Sequence, residues 1–142
     1  ALRRLDLWLL RVCPSGYHVR NRAGFDVGTR NDPGPDLAVV AGTDQDYLKA
    51  NPRSAALIVE VADSSLAKDT TEKAELYATA GVPDYWVLDL ENRKLIVFRD
   101  PVPLPTGLGA TAYRTRTEHG PADAVLPLHA PTATVRVADL LP

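Results

Sequence analysis

The chain has 142 residues, of which 45% are hydrophobic and 24% charged, with a formal net charge of −2. That composition suits one globular domain whose core needs neither disulfides nor a structural metal. The acidic balance excludes a protein that simply coats nucleic acid, so any DNA contact has to come from a local basic surface or from bridging metal ions.

Leu2, Leu5, Trp8, Leu9 and Val12 recur at helical spacing, which predicts an opening helix that stops at Cys13-Pro14-Ser15-Gly16. Arg3, Arg4 and Asp6 break up the first apolar stretch, so no signal peptide is expected. No apolar run is long enough to span a bilayer, and a cytoplasmic protein is expected. Cys13 is the only cysteine, which rules out an internal disulfide and reads as a buried or half-buried thiol, because no Cys/His motif surrounds it. The chain contains no methionine and opens directly on a helix, so an upstream segment is expected to be missing. Tyr17 to Asn21 and Phe25 to Arg30 alternate as two strands joined by Arg22-Ala23-Gly24. Asn31-Asp32-Pro33-Gly34 is a turn, and Leu37 to Val40 follows as a short buried strand. Thr43 to Ala50 is polar enough for one or two helical turns.

Ala56 to Ala62 is the most strand-like stretch, and its continuous apolar character predicts a central strand covered on both faces. Asp69 to Ala80 reads as a single helix, with Asp69 as N-cap and Glu72 completing a capping box. Gly81 suits the position just past its end, and Pro83 forbids continuation. Tyr85 to Leu90 and Lys94 to Arg99 form a hairpin around Glu91-Asn92-Arg93. Tyr113 to Arg116 and Ala133 to Val137 are peripheral strands. The order predicts an α/β or α+β protein in a single domain over residues 1–142, with helices against a central sheet.

Two carboxylates and a lysine break this pattern. Glu60 interrupts the Leu, Ile and Val of the central strand, and a buried carboxylate has to be paired, protonated or metal-bound. Asp36 follows Pro35 at the mouth of the Leu37–Val40 strand, so the two acids can converge at one sheet edge. Two oxygen donors with room for waters suit Mg²⁺ or Mn²⁺, and their carboxyl groups are expected within about 5 Å of each other. Lys73 shares a helix face with Leu76, Tyr77 and Ala80 and points toward Glu60, with its ammonium expected within ~4 to 6 Å of that carboxylate, one helical turn from the start of the helix. A structural Lys73–Glu60 ion pair, or a lysine snorkelling to solvent, accounts for the same spacing. Asp63 and Asp69 have ordinary capping roles, Lys68 an exposed one, and Asp89 faces solvent or pairs locally. His18, His119 and His129 lack metal-ligand spacing. No P-loop, GxSxG or GxGxxG occurs.

Pro35-Asp36, then Glu60, then a lysine moved onto the following helix resembles the PD-(D/E)XK nuclease superfamily, in its migrated-lysine variant because Ala62 stands two residues after the glutamate. Val59-Glu60-Val61-Ala62-Asp63-Ser64-Ser65-Leu66, the stretch Asp69 to Lys73, and Tyr77-Ala78-Thr79-Ala80-Gly81-Val82-Pro83-Asp84-Tyr85-Trp86-Val87-Leu88-Asp89 resemble the Uma2 (Uma-two) family of bacterial endonuclease-like proteins. The resemblance implies a restriction-endonuclease-like central mixed sheet flanked by helices, with a peripheral C-terminal β extension. It implies a Mg²⁺-dependent DNA endonuclease, Mn²⁺ substituting, with Asp36, Glu60 and a backbone carbonyl near Val61 at the metal and Lys73 orienting or deprotonating water. Its members carry an acidic, glycine-containing stretch before the first helix, with a further glutamate. DNA is the implied partner, homodimerisation is left open, and a non-catalytic DNA-binding or regulatory module on the same fold is the alternative.

Overall fold

Six strands in sequential order, β1-β2-β3-β4-β5-β6, form the central sheet of a computed structural model that describes residues 1–27, 34–105 and 111–142. They are β1 (Tyr17–Asn21), β2 (Leu37–Ala41), β3 (Leu57–Ala62), β4 (Asp84–Asp89), β5 (Lys94–Pro103) and β6 (Thr111–His119). The β3–β4 pair is parallel and the other four pairings are antiparallel. A parallel pair cannot be closed by a tight turn and needs a crossover. That crossover carries two short helices, α2 (Leu66–Thr70) and α3 (Glu72–Thr79).

The sheet is apolar on both faces because each is covered. Leu57, Val59, Trp86, Leu88, Leu95 and Val97 meet α1 (Leu2–Val12) and the C-terminal segment. The amphipathic α1 buries Leu5, Trp8 and Leu9 and leaves Leu7 and Leu10 exposed, as its spacing requires. Trp8 stacks on Trp86 with ring centroids 6.0 Å apart. Alternation sends Ile58, Ala62, Tyr85, Val87, Ile96 and Phe98 to the other face, where Ala74 and Tyr77 of α3 join them. The C-terminal segment pairs β7 (Ala124–Val125) with β8 (Val135–Arg136) and buries Val137, Leu140 and Leu141 against α1. The architecture is therefore the expected mixed α+β sheet with a small β extension. No helix among the described residues is long and apolar enough to cross a membrane.

Three local expectations change. Phe25 to Val27 lie in no strand, and the remainder of the Phe25–Arg30 candidate, with most of the Asn31–Gly34 turn, lies outside the described residues. The partner of β1 is instead β2, with Tyr17 opposite Ala41 and Asn21 opposite Leu37. Phe25 is still buried, its ring edge-on to Tyr77, so its apolar character reflects packing rather than strand pairing. The helix expected over residues 69–80 is two helices, broken at Thr71 (φ −119°, ψ −82°), and the N-cap position belongs to Ser65 rather than Asp69. Its end is as expected: Gly81 adopts φ +79°, and the Gly81 and Val82 amides bond back to Ala78 and Tyr77 at 2.9 and 3.0 Å, a Schellman termination. Asp44–Tyr47 forms one 3-10 turn within the polar segment.

Candidate active site

The site begins with strand parity. Glu60 shares the α3-facing side of β3 with Ile58 and Ala62, so its carboxylate projects under the helices, where it is 2% exposed. The β2–β3 ladder pairs Leu37 with Val59, and one residue further on Asp36 stands across from Glu60. The Asp36 N–H donates to Glu60 Oε1 at 2.8 Å, and the Val61 N–H donates to Asp36 Oδ2 at 2.8 Å. The two acids are thus held against each other by backbone amides at the point where β2 and β3 part. Asp36 is a quarter exposed, and its Oδ1 lies 3.8 Å from Nε of the largely exposed Arg22. Arg22 is fixed there by its own N–H, which donates to the Asp36 carbonyl at 3.1 Å.

Lys73 enters from α3. Its Nζ donates to Glu60 Oε2 at 2.7 Å and lies 3.2 Å from Asp69 Oδ1. The first distance lies within the ~4 to 6 Å expected for this pair. The Tyr77 hydroxyl donates to the same Glu60 oxygen at 3.4 Å. Asp69 is 1% exposed, and its Oδ2 accepts a 2.6 Å bond from Ser65 Oγ. The Tyr85 hydroxyl donates to the Asp69 carbonyl at 2.8 Å.

Burial pushes the Glu60 carboxyl above its usual range, even though the Lys73 ammonium and the Asp36 amide pull it down. Burial also depresses Lys73, but the Glu60 and Asp69 carboxylates outweigh it and hold the ammonium above its ordinary value. Burial, reinforced by Glu60, raises the Tyr77 hydroxyl far out of the neutral range.

Asp36, Glu60 and Lys73 are thus brought together, with the Val61 backbone at the same strand end. Among the described residues no three His, Cys, Asp or Glu side chains gather as a ready metal cage. A pair of hard oxygen donors, partly open to solvent at Asp36, nevertheless fits Mg²⁺, which keeps several waters and is often held by one or two carboxylates plus substrate phosphate. Arg20 and Arg22 sit on or beside β1, whereas Arg4 and Arg11 line a groove between α1 and the C-terminal segment on the far face. Asp89 pairs locally, accepting from the Asn92 amide and side chain. The expectation for Asp69 missed its place beside Lys73, although the i,i+4 spacing of the two residues is visible in the chain.

No curated protein matches the sequence. Among solved structures, one described as "a putative nuclease belonging to DUF820" from Anabaena variabilis superposes with a TM-score of 0.71 at 12% identity, covering 98% of this chain and 76% of that one. At that identity the likeness shows a shared fold. The Uma2 family model, described as "Putative restriction endonuclease", matches residues 1–126, nearly the whole chain, and the chain belongs to that family.

Proposed function

We propose that the chain is a Mg²⁺-dependent DNA endonuclease, Mn²⁺ substituting, that hydrolyses phosphodiester bonds at Asp36, Glu60 and Lys73. The observation that carries this reading is the convergence of two carboxylates from neighbouring strands, with a lysine ammonium 2.7 Å from the buried one. Asp36 and Glu60, helped by the Val61 carbonyl, would hold the cation. When bound, such a cation supplies Lewis acidity toward the scissile phosphate. Lys73 orients the attacking water or neutralises charge that develops on the phosphate. Arg22, exposed beside Asp36, adds a phosphate contact that a net acidic chain otherwise needs.

The test is cleavage of supercoiled plasmid in Mg²⁺ and in chelator by the wild type and by Asp36→Ala, Glu60→Ala and Lys73→Ala. Each substitution should lower the rate by about 100-fold or more, and chelator should stop it. Lys73→Ala should keep Mg²⁺ binding, or tighten it slightly, because a competing cation is gone. Full cleavage by Lys73→Ala with unchanged metal affinity would make the lysine structural and defeat the mechanism. One observation favours a second reading, a non-catalytic DNA-binding or regulatory module: both Glu60 oxygens already accept hydrogen bonds from the protein. DNA retention without cleavage in any divalent metal would support it.

A further inference from the structure

Asp69 is a buried carboxylate that the proposed chemistry does not use. It belongs to α2, whereas Lys73 lies across the break at Thr71 on α3. Its two oxygens have separate surroundings. Oδ2 accepts from Ser65 Oγ at 2.6 Å, which fixes the plane of the carboxylate. Oδ1 is buried, accepts no hydrogen bond of good geometry, and has the Lys73 ammonium 3.2 Å away. The backbone beneath it is pinned by the Tyr85 hydroxyl at 2.8 Å. A carboxylate 1% exposed is costly unless a cation faces it. Lys73 therefore has two anionic neighbours, Glu60 at 2.7 Å and Asp69 at 3.2 Å.

We propose that Asp69 is the positioning residue of this site, a second anchor that keeps the Lys73 ammonium in place when Glu60 is engaged elsewhere. The proposal rests on the reading in which Glu60 binds a metal cation. An ammonium has three donors, so Lys73 can hold both carboxylates at once and release one of them. As Glu60 Oε2 turns toward a cation, the repulsion between that cation and the ammonium is relieved by a short move onto Asp69 Oδ1. Without Asp69 the lysine has only Glu60, and it competes with the metal for the same oxygen.

The anchor can be tested without metal or DNA. Hydrogen-bonded lysine ammonium groups exchange slowly and give resolved ¹H–¹⁵N signals, and the Lys73 signal is assigned by its loss in Lys73→Ala. The signal should persist in Glu60→Gln and vanish in the Glu60→Gln/Asp69→Asn double variant. Loss already in Glu60→Gln, or persistence in the double variant, overturns the proposal. If the double variant does not fold, Glu60→Gln/Ser65→Ala replaces it, since it removes the hydroxyl that orients Asp69; the signal should broaden, and an unchanged signal overturns the proposal. A second arm titrates Mg²⁺ into the wild type and Asp69→Asn by calorimetry, with roughly tenfold weaker binding expected in the variant. Equal affinity in two folded proteins overturns the competition between Lys73 and the metal. Absence of Mg²⁺ binding by the wild type defeats the metal reading of the site, while the ammonium signals still decide whether Asp69 anchors Lys73.

Discussion

Glu60 is pulled in two directions, and the balance sets what its replacement does. Burial disfavours its charge, yet its two oxygens accept from different donors, the Asp36 amide and the Lys73 ammonium. Glutamine keeps only one of those acceptors and turns an NH₂ group toward the other donor. Glu60→Gln should therefore lower stability in chelator by about 1–3 kcal/mol, less than the ~3–5 kcal/mol of a broken buried pair, because part of the burial cost is removed with the charge. A melting temperature above that of the wild type would contradict this. Lys73 gives a pH signature. Its folded pKa is raised, so the folded chain holds this proton more tightly than the unfolded chain does. Its contribution is complete below the unfolded value of about 10.4 and is lost as pH rises through the higher folded value. The stability difference between wild type and Lys73→Met should stay constant through neutral pH and narrow only in strong alkali. Narrowing below about pH 9 would show that the ammonium is not held as described.

At the scale of elements, apolar runs and terminators carry most of the information. The unbroken Leu57–Val59 run predicts a strand buried on both faces, and that is where β3 lies. Glu60 stands out against it for the same reason. Gly81 predicts the helix end because only a residue tolerant of φ +79° closes a Schellman turn cheaply, and a Cβ built there meets nothing within 4 Å. Gly81→Ala is thus a clean measure of backbone strain and should cost about 1–2 kcal/mol in denaturant unfolding; a neutral result would mean the turn relaxes. The start of the helix was not legible. Asp69 and Glu72 have the spacing of a capping box, but the carboxylate of Asp69 is directed to Ser65 and Lys73, four residues to either side, so two local patterns compete in the chain and the spacing alone does not choose between them. Phe25 fails for a related reason, since aromatic burial resembles strand alternation when only the chain is read. Asp36 was legible from Pro35 before it and the strand after it, whereas its bond to the Val61 amide depends on where β2 and β3 separate.

Across the whole molecule, the C-terminal segment is tied to the sheet through Asp84. This residue is fully buried and accepts from Trp86 Nε1 at 2.8 Å, Arg99 Nε at 3.0 Å and the Leu128 amide at 3.0 Å. Arg99 continues the link to the Leu126 carbonyl at 2.6 Å. Asp84→Ala leaves Arg99 and two N–H groups without their acceptor and should destabilise by about 3–5 kcal/mol, while Asp139→Ala, on the surface side of the same segment, should cost under about 0.5 kcal/mol. Equal melting of the two variants would show that the segment is not anchored there. The single parallel pair has a consequence for the order of folding. Glu60, Asp69, Lys73, Tyr77 and Tyr85 all fall between Leu57 and Asp89, inside one strand–helix–strand crossover, and Asp36, just ahead of β2, comes from outside it. Partners in the β4–β5 and β5–β6 hairpins lie closer in sequence than those of the parallel β3–β4 pair, so loop closure favours the hairpins, and the lysine and its two carboxylates meet only once the crossover has closed. Amides of β4 and β5 should then gain protection first in pulse-labelled refolding and those of β3 later, so the Glu60–Asp69–Lys73 cluster is among the last parts of the sheet to acquire its native form.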